Sequence, residues 1–316
     1  MKNIAIPIIK FFLISLFFCL ILDQLFTFLI KKNHDFKPSK VVSGTINADI
    51  IFQGPSNTLQ SINSVLITKQ TNYSCYNLGC IGADYDDNIA LLHLYLSNNK
   101  LPLVIIRQFM PRYFHTKNSL SFHSFLYTPF VNDPFIESIL KRRTPLLYNI
   151  RQIPLIKYSL YNRQIVNEVL KGGIQLIKGS NEVNFTEGFQ PKIASWDIQH
   201  YQKFIKDFPD GYNIELDTIA LKSYVKYITL TKKYNVPLII ISPPVYQPYK
   251  KYELNRSKIL DLMDSICENH SVPFYRMENI EMQLDSNNFW NKTHVNLKGA
   301  NLYSLYLSKF LKNTLK

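Results

Sequence analysis

A run of about twenty apolar residues leaves a chain few options, because such a helix must enter a bilayer or be buried on all sides. The stretch from Phe11 to Ile30 is such a run. As a helix it is long enough to cross a hydrocarbon core of about 30 Å. Asp23 and Gln24 interrupt it near its far end, where polar groups reach the interface. No Ala-x-Ala-like cleavage site follows, so the expectation is an uncleaved single-pass anchor over residues 1–32. Cys19 lies within the run without the small residues of a lipidation motif before it. Lys2 and Lys10 flank one side, and Lys31, Lys32, Lys37 and Lys40 the other. The positive-inside rule therefore does not place the larger domain, and if anything it favours the cytoplasm.

The remainder is rich enough in core-forming residues to fold. Over 316 residues, 46% are apolar and 14% aromatic, which excludes a disordered chain. The net charge of +13 suits an anionic polymer or membrane surface as neighbour, and equally a Lys-rich face with no specific partner. Zinc-finger spacing, an Arg-rich helix and an RNP-type aromatic signature are all lacking, so nucleic acid is not an expected partner. Cys19, Cys75, Cys80 and Cys267 form no Cys/His cluster with ligand spacing, so no metal is expected, and no cofactor. Cys75 and Cys80 read as free thiols.

After a polar linker, 33–47, short β-branched runs alternate with helical patterns. Strands are expected at 49–53, 73–78 and 101–106, with Asp86-Asp87-Asn88 capping a helix between the last two. A second series follows: an amphipathic helix from about 215, a strand at 236–241, a helix at 256–269, a short strand at 272–275 and a closing helix at 297–311. Such alternation predicts a three-layer α/β fold, a parallel sheet between helices, over 48–316. Residues 109–213 lack strand alternation and read as a largely helical insertion, either a lid or substrate platform or a structural elaboration.

In an open parallel sheet, ligands collect at the carboxyl ends of the strands. Ser56 follows the first strand in Gly54-Pro55-Ser56, Gly82 follows the second, and His294 precedes the last helix. A serine at such a turn can present its hydroxyl, nearby backbone N–H groups can hold an oxyanion, and a histidine can take the proton. Asn291, three residues before His294, is placed to orient the ring. Taken singly, a Ser in a Gly-Pro turn is a turn residue and a lone His before a helix a cap.

Together these segments resemble the SGNH (GDSL-like) hydrolase superfamily. The run from Ile50 to Ser56 is similar to its first block, from Tyr76 to Gly82 to its second, and from Phe289 to Ala300 to its last, Asp-x-x-His before a helix. Ile239 to Val245 is similar to the strand-plus-Pro segment of membrane-anchored members. The resemblance covers roughly 47–108 and 214–312. It implies a flavodoxin-like αβα fold with Ser56 as nucleophile, His294 as base and the Ser56 and Gly82 amides as oxyanion donors. Anchored relatives imply an extracytoplasmic domain acting as an esterase or O-acyltransferase on a cell-envelope glycan, which the positive charge would suit.

Two positions depart from the family pattern. Asn291 stands where the family has its acid; an amide orients imidazole but does not stabilise imidazolium, unless Ser56 and His294 act as a dyad or a carboxylate such as Asp285 reaches the ring. The Gly-x-Asn-Asp block after the third strand is replaced by Ile106-Arg107-Gln108-Phe109. Gln108 can donate to an oxyanion and Arg107 can bind an anionic substrate; both also read as ordinary strand-end residues. Asn57 occupies a position that is basic in several anchored relatives. The alternative function is therefore a degenerate domain that binds glycan or scaffolds an envelope assembly.

Overall fold

The computed structural model of the chain describes residues 2–115, 122–178 and 187–315. In chain order, helices α1 (Lys2–Lys32) and α2 (Lys37–Val42) precede β1 (Ile50–Gln53), α3 (Ser56–Ser61), α4 (Ser64–Thr71), β2 (Cys75–Asn77), α5 (Tyr85–Asn98) and β3 (Val104–Gln108). Next come α6 (Pro134–Arg143), α7 (Pro145–Ile150), α8 (Ile156–Ser159), α9 (Asn162–Lys178), α10 (Ile198–Asp207) and α11 (Thr218–Lys233). The chain ends with β4 (Leu238–Ile241), α12 (Arg256–Asn269), β5 (Phe274–Tyr275), β6 (Phe289–Asn291), β7 (His294–Val295) and α13 (Leu297–Thr314). Two compact units result: Met1–Thr45 with His123–Glu182, and Ile46–Phe122 with Val183–Lys316. The stretch 109–213, read from sequence as one insertion, is thus divided between them. Within it, 116–121 and 179–186 lie outside the described residues.

The first unit is helical. Its α1 contains a 27-residue segment, Ile6–Lys32, with an 18-residue window of mean hydropathy 2.3, long and apolar enough to cross a membrane. The segment read as a polar linker is built into the unit: α2 buries Pro38, Ser39 and Val41, and the Ser39 hydroxyl donates to the Ile30 carbonyl at 2.8 Å. Helix α9 packs along the last turns of α1. Gly172 makes this approach possible, since a Cβ there would lie 1.8 Å from the Leu29 carbonyl oxygen. Asp23 is answered from α8: its carboxylate pairs with Lys157 at 2.7 Å and accepts from the Leu155 N–H at 2.9 Å. Both side chains of that pair are buried, as an ion in apolar surroundings requires. The outer face of α9 exposes Val166, Leu170, Ile174 and Ile177 at helical spacing.

The second unit is an α/β fold. The five strands of its main sheet are all parallel and ordered β2-β1-β3-β4-β5, the doubly wound flavodoxin-like order. Successive residues of a strand face opposite sides, and the central strands are apolar on both. Ile50, Phe52, Val104, Ile106, Ile239 and Ile241 meet Ile67 of α4 and Tyr303, Leu307 and Leu311 of α13. On the other face, Gln53 donates to the Asn88 carbonyl of α5 at 2.6 Å and accepts from the Tyr227 hydroxyl of α11. Three layers result.

Two boundaries differ from the sequence reading in ways that shape the site. Helix α5 begins before the Asp86-Asp87-Asn88 trio: Asp84 is its cap, accepting from the Asp87 N–H at 2.9 Å while the Asp87 carboxylate accepts from the Asp84 N–H at 3.1 Å. That reciprocal pair satisfies two donors that would otherwise be orphaned, and it brings Tyr85 to the first turn. Strand β3 starts later than expected and continues through Arg107 and Gln108. Pro102 has no N–H to give the ladder, and Leu101 and Leu103 remain exposed. The β6–β7 ribbon, which carries Asn291 and His294, is not among the strands expected from sequence.

Candidate active site

Strand β1 delivers Ser56 through a turn that glycine alone allows: a Cβ on Gly54 would lie 2.0 Å from the Thr58 hydroxyl oxygen. Ser56 is the first residue of α3. The β6–β7 ribbon is held against that helix by Asn57, whose amide donates to the Thr293 carbonyl. The result is a Ser56 Oγ to His294 Nε2 distance of 2.9 Å between residues 238 apart in sequence.

The hydrogen bonds around Asn291 favour one tautomer of the His294 ring. Its Oδ1 accepts from the backbone N–H groups of Thr293 (3.0 Å) and His294 (2.9 Å). Backbone N–H groups only donate, so the atom they meet is the amide oxygen, not the NH₂. The same oxygen lies 3.1 Å from His294 Nδ1. This favours the proton on Nδ1, with Nε2 presenting its lone pair to the serine hydroxyl. Thr293 Oγ1, 3.1 Å from Nδ1, lies in the same network.

The surroundings are cationic. Burial, then the charges of Arg112 and Lys292, lower the His294 pKa to about 3. Lys292 is lowered to about 8 by burial and by Arg112, and its ammonium sits 4.3 Å from the centroid of the Phe204 ring. The ring of Trp290 lies 5.3 Å from that of His294.

A pocket of about 210 Å³ opens on the pair, with Gly82, Tyr85, Arg107 and Arg112 in its wall. The sequence-derived candidates divide accordingly. Ser56, His294, Gly82 and Arg107 line one pocket, and Asn291 stands behind the ring. Asn57 also borders it, but its side chain is committed to Thr293 and to the Tyr113 hydroxyl at 3.1 Å. Gln108 does not point into this pocket. Strand alternation turns it to the opposite face from Arg107, where its amide donates to Ser61 and accepts from Thr58, each at 3.0 Å. Asp285 does not reach the ring either; it caps Asn287 at 2.9 Å and pairs loosely with Lys298 at 3.4 Å. Sequence reading missed Tyr85, Arg112, Tyr113 and Lys292. The first three sit just past β2 and β3, and the strand-end rule applied to those segments would have found them.

The fold and this site define an α/β protein of flavodoxin-like strand order with a Ser–His pair at the carboxyl rim of its sheet. No family model and no curated protein matches the sequence. Among solved structures, a candidate acylhydrolase from Bacteroides fragilis is similar with a TM-score of 0.40 and 10% identity, over 84% of this chain and 88% of that chain.

Proposed function

We propose that the chain is a membrane-anchored, SGNH-like serine hydrolase or O-acyltransferase acting on ester-linked acyl groups of an extracytoplasmic glycan. One observation carries this reading: Ser56 Oγ stands 2.9 Å from His294 Nε2, and the Asn291 oxygen behind the ring favours the proton on Nδ1. The Ser56 proton passes to Nε2 as Oγ bonds to the acyl carbon, and the carbonyl electron pair moves onto oxygen. The Ser56 and Gly82 amides are the donors assigned to that oxyanion. Its collapse breaks the ester C–O bond, with the departing alkoxide taking the proton back from Nε2. Water, or a second hydroxyl in the transferase case, releases the acyl group by the reverse steps.

Asn291 acts as a positioning residue. An amide in this position can impose the wrong tautomer by donating to the ring, a large part of why the corresponding Asp-to-Asn change costs a serine protease about 10⁴ in kcat. Here two backbone donors hold the oxygen toward the ring. The tautomer is kept and only the carboxylate charge is missing. Anchoring through α1 is supported by its length and hydropathy, and the apolar outer stripe of α9 suits a bilayer surface beside it.

A second reading is favoured by the charges of Arg112 and Lys292, which oppose imidazolium: a domain that binds glycan without turnover. The test uses the full chain in detergent micelles, with fluorophosphonate labelling and hydrolysis of 4-nitrophenyl acetate measured against Ser56→Ala. Labelling and turnover that vanish in the variant support the hydrolase. A folded wild-type chain that does neither leaves only binding. A reporter fused after Lys316 tests the topology, and a cytoplasmic signal removes the envelope substrate.

A further inference from the structure

Arg107 is among the most deeply buried side chains of the α/β unit, at 1% exposure, yet it has no ion pair among the described residues. Three tyrosines surround its guanidinium: the ring centroids of Tyr227, Tyr224 and Tyr85 lie 4.3, 5.4 and 6.0 Å from Cζ. Ring faces compensate the positive charge but do not accept its in-plane N–H bonds. By hydrogen-bond geometry Nε and Nη1 are buried without a partner, as are the hydroxyls of Tyr85 and Tyr224, although the Tyr224 and Tyr227 hydroxyls lie close enough to the guanidinium for it to favour their ionised forms. Native interiors rarely leave one such donor unmet, and here two nitrogens of Arg107 and two neighbouring hydroxyls are left so together. Arg107 and Tyr85 also belong to the wall of the pocket that holds Ser56 and His294, with Arg112.

We infer that this recess is an anion subsite: Arg107, with the Tyr85 hydroxyl, receives a carboxylate or phosphate carried by the substrate whose ester reaches Ser56. Guanidinium presents paired N–H groups that match the two oxygens of either anion. The ring cage excludes water, so the bond is stronger than on an exposed surface. The inference deepens the reading of this pocket as a substrate site and rests on it, and it narrows the substrate from any acylated glycan to an acidic one.

The test separates binding from turnover. Inorganic phosphate and, separately, glutarate are titrated calorimetrically into the full chain in micelles at low salt, with Arg107→Gln, Arg107→Lys and Tyr85→Phe alongside. The expected result is binding of at least one anion, weakened tenfold or more by Arg107→Gln, less by Arg107→Lys, and about threefold by Tyr85→Phe, which keeps the ring packing should the Arg107 variants fail to fold. Preference for phosphate or glutarate identifies which anion the substrate carries. In a second arm, the ratio of kcat/KM for the 4-nitrophenyl monoester of glutarate over 4-nitrophenyl acetate falls tenfold in Arg107→Gln. Wild-type chain that binds neither anion at millimolar concentration overturns the inference, as does binding unaffected by both Arg107→Gln and Tyr85→Phe. Anion binding lost with Arg107, in a chain that cleaves no ester, keeps the subsite and removes the hydrolase.

Discussion

On the proposed hydrolase reading, replacing Asn291 by Asp supplies the carboxylate that the Ser56–His294 pair lacks. The new carboxylate inherits an oxygen position 3.1 Å from His294 Nδ1 and the two backbone donors that already fix it. With charge centres about 5 Å apart and an effective dielectric of about 20, the attraction between carboxylate and imidazolium is about 3 kcal/mol. That corresponds to a rise of roughly two pKa units. From about 3, where burial, Arg112 and Lys292 hold it, His294 would move to about 5. On the hydrolase reading proposed above, imidazolium forms as Ser56 attacks, so the same attraction lowers the barrier and kcat should rise about 100-fold, within the 10⁴ that a full Asp-for-Asn difference is worth. The assay is kcat for 4-nitrophenyl acetate across pH 4 to 9, with ring ¹⁵N chemical shifts reporting the tautomer. An Asn291→Asp chain that folds, keeps Nδ1 protonated and yet turns over no faster than wild type would refute the claim that only charge is missing.

Two further outcomes follow from buried charge. The unfolded chain protonates His294 near pH 6.5, whereas the folded chain resists until about 3, so between those values the unfolded state holds more protons and acid lowers stability by up to about 1.4 kcal/mol per pH unit. Urea midpoints measured from pH 7 down to 4 should fall, and His294→Gln should flatten that slope; an equal slope in the variant would locate the effect elsewhere. In the helical unit, Asp23→Leu alone strands Lys157 and should cost about 3–5 kcal/mol, while Asp23→Leu with Lys157→Met should recover most of it. Limited proteolysis within 123–178 in micelles reads both, and a double variant as labile as the single would contradict the pairing.

The α/β alternation, the strand–turn–Ser56 segment and the His294 segment were legible because each depends on local pattern: β-branched runs, a glycine turn, a polar pair before a helix. What stayed hidden depends on partners distant in sequence. Nothing in 33–47 announces that α2 is buried, because its burial comes from packing within the helical unit. Gln108 and Arg107 are neighbours in sequence, and only the extension of β3 by two residues assigns them to opposite faces. The role of Asp285 was undecidable without knowing that Asn287 and Lys298 occupy its carboxylate. Asn291 looked like a lost acid; the two N–H groups that turn its oxygen toward the His294 ring belong to its own turn, and their direction exists only once the β6–β7 ribbon has formed.

The cationic field around His294 and the unpaired Arg107 are one electrostatic arrangement with two consequences. Arg112 lowers the basicity of His294 and also stands in the wall of the pocket that Arg107 lines. An anion bound there offsets positive charge that otherwise opposes imidazolium, so substrate arrival should itself make His294 a better base. Linkage makes the effect reciprocal: if phosphate raises the His294 pKa by one unit, phosphate binds about tenfold more tightly to chain protonated at His294 than to chain in which it is neutral. Titrating His294 by NMR with and without saturating phosphate measures the shift directly, with Arg107→Gln as the control that should abolish it. An unchanged His294 titration at saturating phosphate would mean that the two charges do not communicate. The absent carboxylate would then have no substitute in the substrate, and the binding reading would gain over the hydrolase.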